Sequence, residues 1–179
     1  MLKRLSKISI ALLAVTLATS PANAKVTARS ASGFSVALEA NLAITPERAY
    51  EKFVEIGNWW DMAHSYTNDA SKMKLDTSPG GGWIETLPNG GFVLHMRVTQ
   101  AAPGERLIMA GGLGPLAFMG VNASINVNFA KSENGTKVTI GYAVGGFDPN
   151  EFNEISKGVD GVLTAQLSRY VNYAGAGKP

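Results

Sequence analysis

His64, Glu85 and His95 are the side chains of this chain best suited to acid–base chemistry. A histidine with a carboxylate partner acts as a general base near neutral pH, where an imidazole readily exchanges its proton. The other reading of the same residues is a buried polar group that bonds across strands and does nothing else. Hairpin register decides whether they meet. If Asn89-Gly90 is a plain two-residue turn, Glu85 pairs with Leu94 and His95 faces the other side. If the extra Gly91 makes a bulge, Glu85 sits opposite His95 on one face. The sequence leaves both open.

A metal would need His64, His95 and a carboxylate such as Asp61 or Glu85 to converge. No single element carries ligand spacing, so we expect no metal and no cofactor. A G-x-S-x-G nucleophile motif is missing. Gly80–Gly82 lacks the Lys-Ser/Thr of a phosphate loop. The absence of cysteine excludes disulfides, thiolate metal sites and cysteine nucleophiles.

The elements that must position these residues are written plainly. Phe34, Val36, Leu38 and Ala40 alternate with polar or small residues, which predicts a strand. Thr45 N-caps a helix over 46–56, Pro46 fits its first turn, and Gly57 can close it in a left-handed conformation. Trp59 and Trp60 follow it. We expect one of the pair in the core and the other, Trp60, at the edge of a cavity. Met73 to Thr77 and Trp83 to Leu87 read as strands, as do Phe92 to Thr99 and Arg106 to Ala110. The last hairpin joins Ser124–Phe129 to Val138–Val144. Taking Asn134-Gly135 as its turn places Phe129 opposite Ile140 and Val127 opposite Tyr142, with the apolar faces coinciding. Asp148-Pro149 opens a final helix with an apolar stripe of Phe152, Ile155, Val159, Val162, Leu163, Gln166, Tyr170 and Tyr173. Gly158 and Gly161 lie on its flank, at a cost of about 1 kcal/mol each against alanine. Either something packs closely there or the helix is locally loose.

The sum is an α+β domain: a curved antiparallel sheet of about seven strands around a long C-terminal helix, with a short helix after the first strand. Sheet and helix should leave a cavity between them, the usual place for a ligand. Trp60, Trp83, Met96, Val159 and Leu163 are its expected walls. The segment Gly111 to Val121 is an apolar, glycine-rich loop with Leu116, Phe118 and Met119. It reads as a gate over the cavity lined by those three, as a patch for transient membrane or partner contact, or as a loop tucked into the core.

Residues 1–24 read as a secretory signal peptide. Lys3, Arg4 and Lys7 precede an apolar run, and Ala22-Asn23-Ala24 is a small-residue cleavage site. Cleavage after Ala24 implies a periplasmic or secreted protein. The whole chain has 16 Lys+Arg against 14 Asp+Glu. The leader takes three of the basic residues, so the remainder is close to neutral and no basic stripe points to nucleic acid. We expect a flexible segment over 25–32, a single domain over 33–174, and a disordered tail over 175–179. Oligomeric state is not legible.

Four stretches together resemble the START-like helix-grip (SRPBCC) superfamily, close to its bacterial polyketide cyclase and chaperone-ATPase-activator-like branch. They are Trp59-Trp60 through Tyr66, Pro79-Gly80-Gly81 through Glu85, Gly90-Gly91 through Met96, and Val159 through Arg169. The resemblance implies a helix-grip fold over nearly the whole domain. It implies a binder or carrier of a small hydrophobic or lipid-like ligand. Alternatives are an enzyme of cyclase, dehydratase or hydrolase type using His64 or His95 with Glu85, and a protein-partner module.

Overall fold

The computed structural model describes residues 23–175. Residues 1–22 of the expected leader and the last four residues lie outside them, and of the 175–179 tail only Gly175 is described, at the end of a helix. The chain is α+β. Eight strands form one open antiparallel sheet in the order β1-β2-β8-β7-β6-β5-β4-β3. They are β1 (Asn23–Ser30), β2 (Gly33–Leu42), β3 (Met73–Leu75), β4 (Gly82–Thr86), β5 (Phe92–Ala102), β6 (Arg106–Ala110), β7 (Val121–Ser132) and β8 (Gly135–Gly146). Two helices, α1 (Pro46–Val54) and α2 (Asn153–Gly175), complete it.

Alternation places the core. Phe34, Val36, Leu38, Ala40 and Leu42 of β2 are buried, as are Val138, Ile140, Tyr142 and Val144 of β8. These rows meet Ile125, Val127 and Phe129 of β7 on the same face. The β7–β8 register differs from the expected one by two residues. Val127 lies opposite Ile140, and Phe129 opposite Val138. The turn is Glu133-Asn134, since Ser132 pairs with Gly135. Gly135 instead takes a positive φ of 136°, where a Cβ would run into the Leu42 carbonyl. A two-residue shift keeps every side chain on its face, so the apolar rows coincide in either register.

The segment over 25–32 is not a flexible lead-in. Asn23–Ser30 pairs with β2 as an edge strand, making eight strands and placing α1 after the second. Its one half-buried apolar side chain among Lys25–Ser30, Val26, packs against the core.

Helix α1 starts as expected, with the Arg48 N–H donating to the Thr45 hydroxyl. It ends at Val54, two residues early, and a single 3-10 turn, Ile56–Asn58, follows. Gly57 sits inside that turn without a left-handed φ. Its lack of a side chain serves close approach: a Cβ there would lie 2.8 Å from the Met73 carbonyl and 2.9 Å from that of Ala70. Helix α2 starts five residues after Asp148. Glu151 and Phe152 are left-handed, with φ 52° and 58°, and the Asp148 carboxylate accepts from the Asn150 and Phe152 N–H groups. The expected stripe divides in two. Leu163, Gln166 and Tyr170 are buried, joined by Leu167, Val171 and Ala174. Ile155, Val159 and Val162 are only half-buried. Among the described residues nothing lies within 4 Å of a Cβ built on Gly158 or Gly161, so no close packing there explains these glycines.

Candidate functional site

The site begins with an irregularity in the β4–β5 ladder. Ile84 pairs with Leu94, and Trp83 with Met96, so His95 is the extra residue of a bulge. Glu85 lies opposite Val93. Neither register expected from the sequence holds. The turn is the three-residue Pro88-Asn89-Gly90, closed by Leu87 N–H to the Gly91 carbonyl. The bulge buries His95 beside Met96, and brings it to Glu85 on the diagonal.

The result is a tight pair. His95 Nε2 lies 2.9 Å from Glu85 Oε2. Glu85 has no exposed surface, and His95 is 6% exposed. The carboxylate is fully subscribed. Oε2 also accepts from the Tyr66 N–H at 3.1 Å, and Oε1 accepts from the Thr67 N–H and hydroxyl, both at 2.7 Å. Burial alone would raise the pKa of Glu85, but the Thr67 hydroxyl, the two N–H groups and His95 outweigh it and hold the carboxyl below its usual range. Burial lowers the pKa of His95, opposed by its bond to Glu85. The pair therefore stands as a carboxylate and a neutral imidazole at neutral pH. A carboxylate only accepts, so Nε2 carries the proton and Nδ1 the lone pair. Nδ1 has no partner within the described residues, yet it is not among their sealed, unpartnered atoms. The ring is held in place by Trp83, stacked at 4.9 Å and 29°, and by Tyr66 at 5.7 Å.

His95 forms part of the wall of a cleft of about 620 Å³. Three segments complete it: Trp60 with His64–Tyr66, the loop residues Leu113–Pro115 with Phe118, and the first half of α2. The enclosed interior beneath, among Phe53, Trp59, Trp83, Leu167 and Tyr170, measures only about 20 Å³. That is room for about one water. Space for a ligand lies at this open end, not deep between sheet and helix.

The expected site residues separate accordingly. Trp60, Phe118, Val159 and Leu163 line the cleft. Trp83, Met96 and Leu116 are buried in the core, and Met119 packs against that core without lining the cleft. His64 lies on the rim, exposed, and its side chain bonds to neither Glu85 nor His95. Its carbonyl does the structural work, accepting from Trp60 Nε1 at 3.0 Å. Asp61 caps the Met62–His64 turn through the Ala63 N–H and approaches Arg169 at 3.9 Å. Trp59 sits in the core and donates to the Phe53 carbonyl.

Two contributors went unread in the sequence. The Tyr66–Thr67 clamp on Glu85 is mostly backbone, so residue type barely signals it. Tyr142 fixes the loop. Its hydroxyl accepts from the Leu113 N–H and donates to the Gly111 carbonyl. Burial pushes this phenol up to about 12. A polar tip on the apolar row of β8 was the available signal. The loop itself serves both core and cleft: Leu116 is 1% exposed, while Phe118 is 81% exposed over the opening.

No protein-family model and no curated protein matches the chain. Solved structures do. An uncharacterised protein of Rhizobium leguminosarum is 18% identical, with a TM-score of 0.59 over 87% of this chain and 98% of its own. A Mesorhizobium loti protein gives 13% and 0.60 over 81% and 99%. CalU16 of Micromonospora echinospora gives 12% and 0.50 over 88% and 95%. At these identities the likeness concerns the fold alone: a large antiparallel sheet with a long C-terminal helix, compatible with a helix grip.

Proposed function

We propose that the chain is a START-like helix-grip module that binds a small, largely apolar molecule in the cleft beside His95. The single observation behind this is the cleft itself. Its volume falls within the roughly 300–1,000 Å³ of small-molecule sites, and its wall is apolar apart from a few polar groups. The leader expected over 1–24 supports a carrier or sensor that binds outside the cytoplasm. Phe118 stands exposed on the wall of that cleft, where it can meet an arriving ligand. The test is native mass spectrometry of protein purified from its own compartment. A hydrophobic adduct is expected, and Val159→Trp, which fills the cleft, should lose it. Absence of any adduct, with no uptake of apolar probes by the stripped protein, ends the proposal.

A second reading is favoured by the Glu85–His95 pair. A carboxylate-oriented imidazole with an unpartnered Nδ1 has the parts of a general base. Turnover of a bound molecule that His95→Gln abolishes would move the protein from carrier to enzyme.

A further inference from the structure

Resting on the binding reading above, we infer that the cleft selects neutral apolar molecules that carry a hydroxyl, and discriminates against carboxylates. The argument starts from Glu85. Three other donors, the Tyr66 N–H and the Thr67 N–H and hydroxyl, hold it as an acceptor, so the proton of its bond to His95 belongs to Nε2. Nδ1, without a hydrogen-bond partner among the described residues, then keeps a free lone pair on a ring that lines the cleft. A lone pair accepts; it gives nothing to a carboxylate or a carbonyl. A hydroxyl donates to it, and the remaining apolar body of the ligand lies against Val159, Val162 and Leu163.

Charge points the same way. No residue lining the cleft is lysine or arginine. A carboxylate entering it would lose its hydration and gain no cation, with the Glu85 charge directly behind His95. The other polar side chains are spent or peripheral. The Ser65 hydroxyl already donates to the Met62 carbonyl and accepts from the Asp69 N–H. His64 and Tyr66 lie exposed at the rim. Among the described residues that line the cleft, His95 is thus the one buried side chain with a free acceptor to order a ligand.

The test compares three probes of one shape, para-butylphenol, butylbenzene and para-butylbenzoate, by ligand-observed NMR on the stripped wild-type protein at mildly alkaline pH. The phenol should bind about five- to tenfold more tightly than the hydrocarbon, the gain of one hydrogen bond. The benzoate should bind more weakly than both. Nitrogen NMR of the histidines, assigned with His64→Gln, should show the His95 proton on Nε2 and a shift of Nδ1 on adding the phenol. Equal affinity for phenol and hydrocarbon, tighter binding of the benzoate, or a proton on Nδ1 overturns the inference while leaving the cleft a binding site. Failure of all three probes to bind removes the binding reading, and this selectivity with it.

Discussion

Glu85 is satisfied by four donors in a place without solvent, and that fixes what a substitution there costs. Glutamine keeps the shape but replaces one acceptor oxygen with a donor. Its NH2 must then face either the Thr67 donors or those of Tyr66 and His95. Glu85→Gln should therefore destabilise by on the order of 2–3 kcal/mol, read from urea denaturation. A loss under half of that would show the clamp to be slack. The pair also sets a pH dependence. Both groups have folded pKa values below their ordinary ones, so the folded state binds fewer protons than the unfolded state. Their contribution is present above the unfolded values and is lost as pH falls through the folded ones. Stability should begin to drop below the ordinary imidazole value of 6.5, and drop further below the ordinary glutamate value of 4.5. Denaturation midpoints across this range check it, and a His95→Phe variant should lose the upper step. The residue types of this pair were legible in the sequence. Their meeting was not, because a bulge at His95 is set by how β4 and β5 twist together, which alternation within one strand does not encode. His64 looked equivalent by type, but its turn exposes the ring and uses only its carbonyl.

Helices and hairpins were more legible, since caps, turn residues and alternating faces are local signals. Thr45, Pro46 and the paired faces of β7 and β8 all act as their types suggest. Where element boundaries moved, backbone sterics moved them. Gly57 and Gly158 show the contrast. A methyl on Gly57 meets two carbonyls within 3 Å, so Gly57→Ala should cost about 1–3 kcal/mol as an overpacking change. Among the described residues a methyl on Gly158 or Gly161 meets nothing within 4 Å. Gly161→Ala should therefore raise stability by about 1 kcal/mol through helix propensity alone, with ligand affinity unchanged. Gly158→Ala should bring the same gain but weaken binding, because Gly158 lines the cleft and Gly161 does not. Thermal melts with and without an apolar probe separate the two. Matching effects on binding would show that α2 acts there as a loose helix rather than as a wall.

At the level of the whole molecule the open sheet has two edges, β1 and β3, and β1 is what shields the longer strand behind it. Little in the residue types signals this. Lys25, Thr27 and Arg29 alternate with Val26, Ala28 and Ser30, and a strand exposed on one face with so little apolar content reads as a linker. Polar side chains are what an edge strand needs to resist pairing with another chain. Cleavage after Ala24 would remove only the pairs of Asn23 with Glu39 and Ala24 with Leu38, leaving the rest of β1 on β2. A chain starting at Lys25 should therefore be monomeric and as stable as the longer form. A chain starting at Gly33 is different. It leaves β2 as a ten-residue edge with unpaired N–H and C=O groups, and takes away a surface on which α2 packs. Its melting temperature should fall by about 5–10 °C, and it should self-associate in light scattering. Equal melting and a monomeric Gly33 chain would mean that β1 adds nothing to the fold it borders.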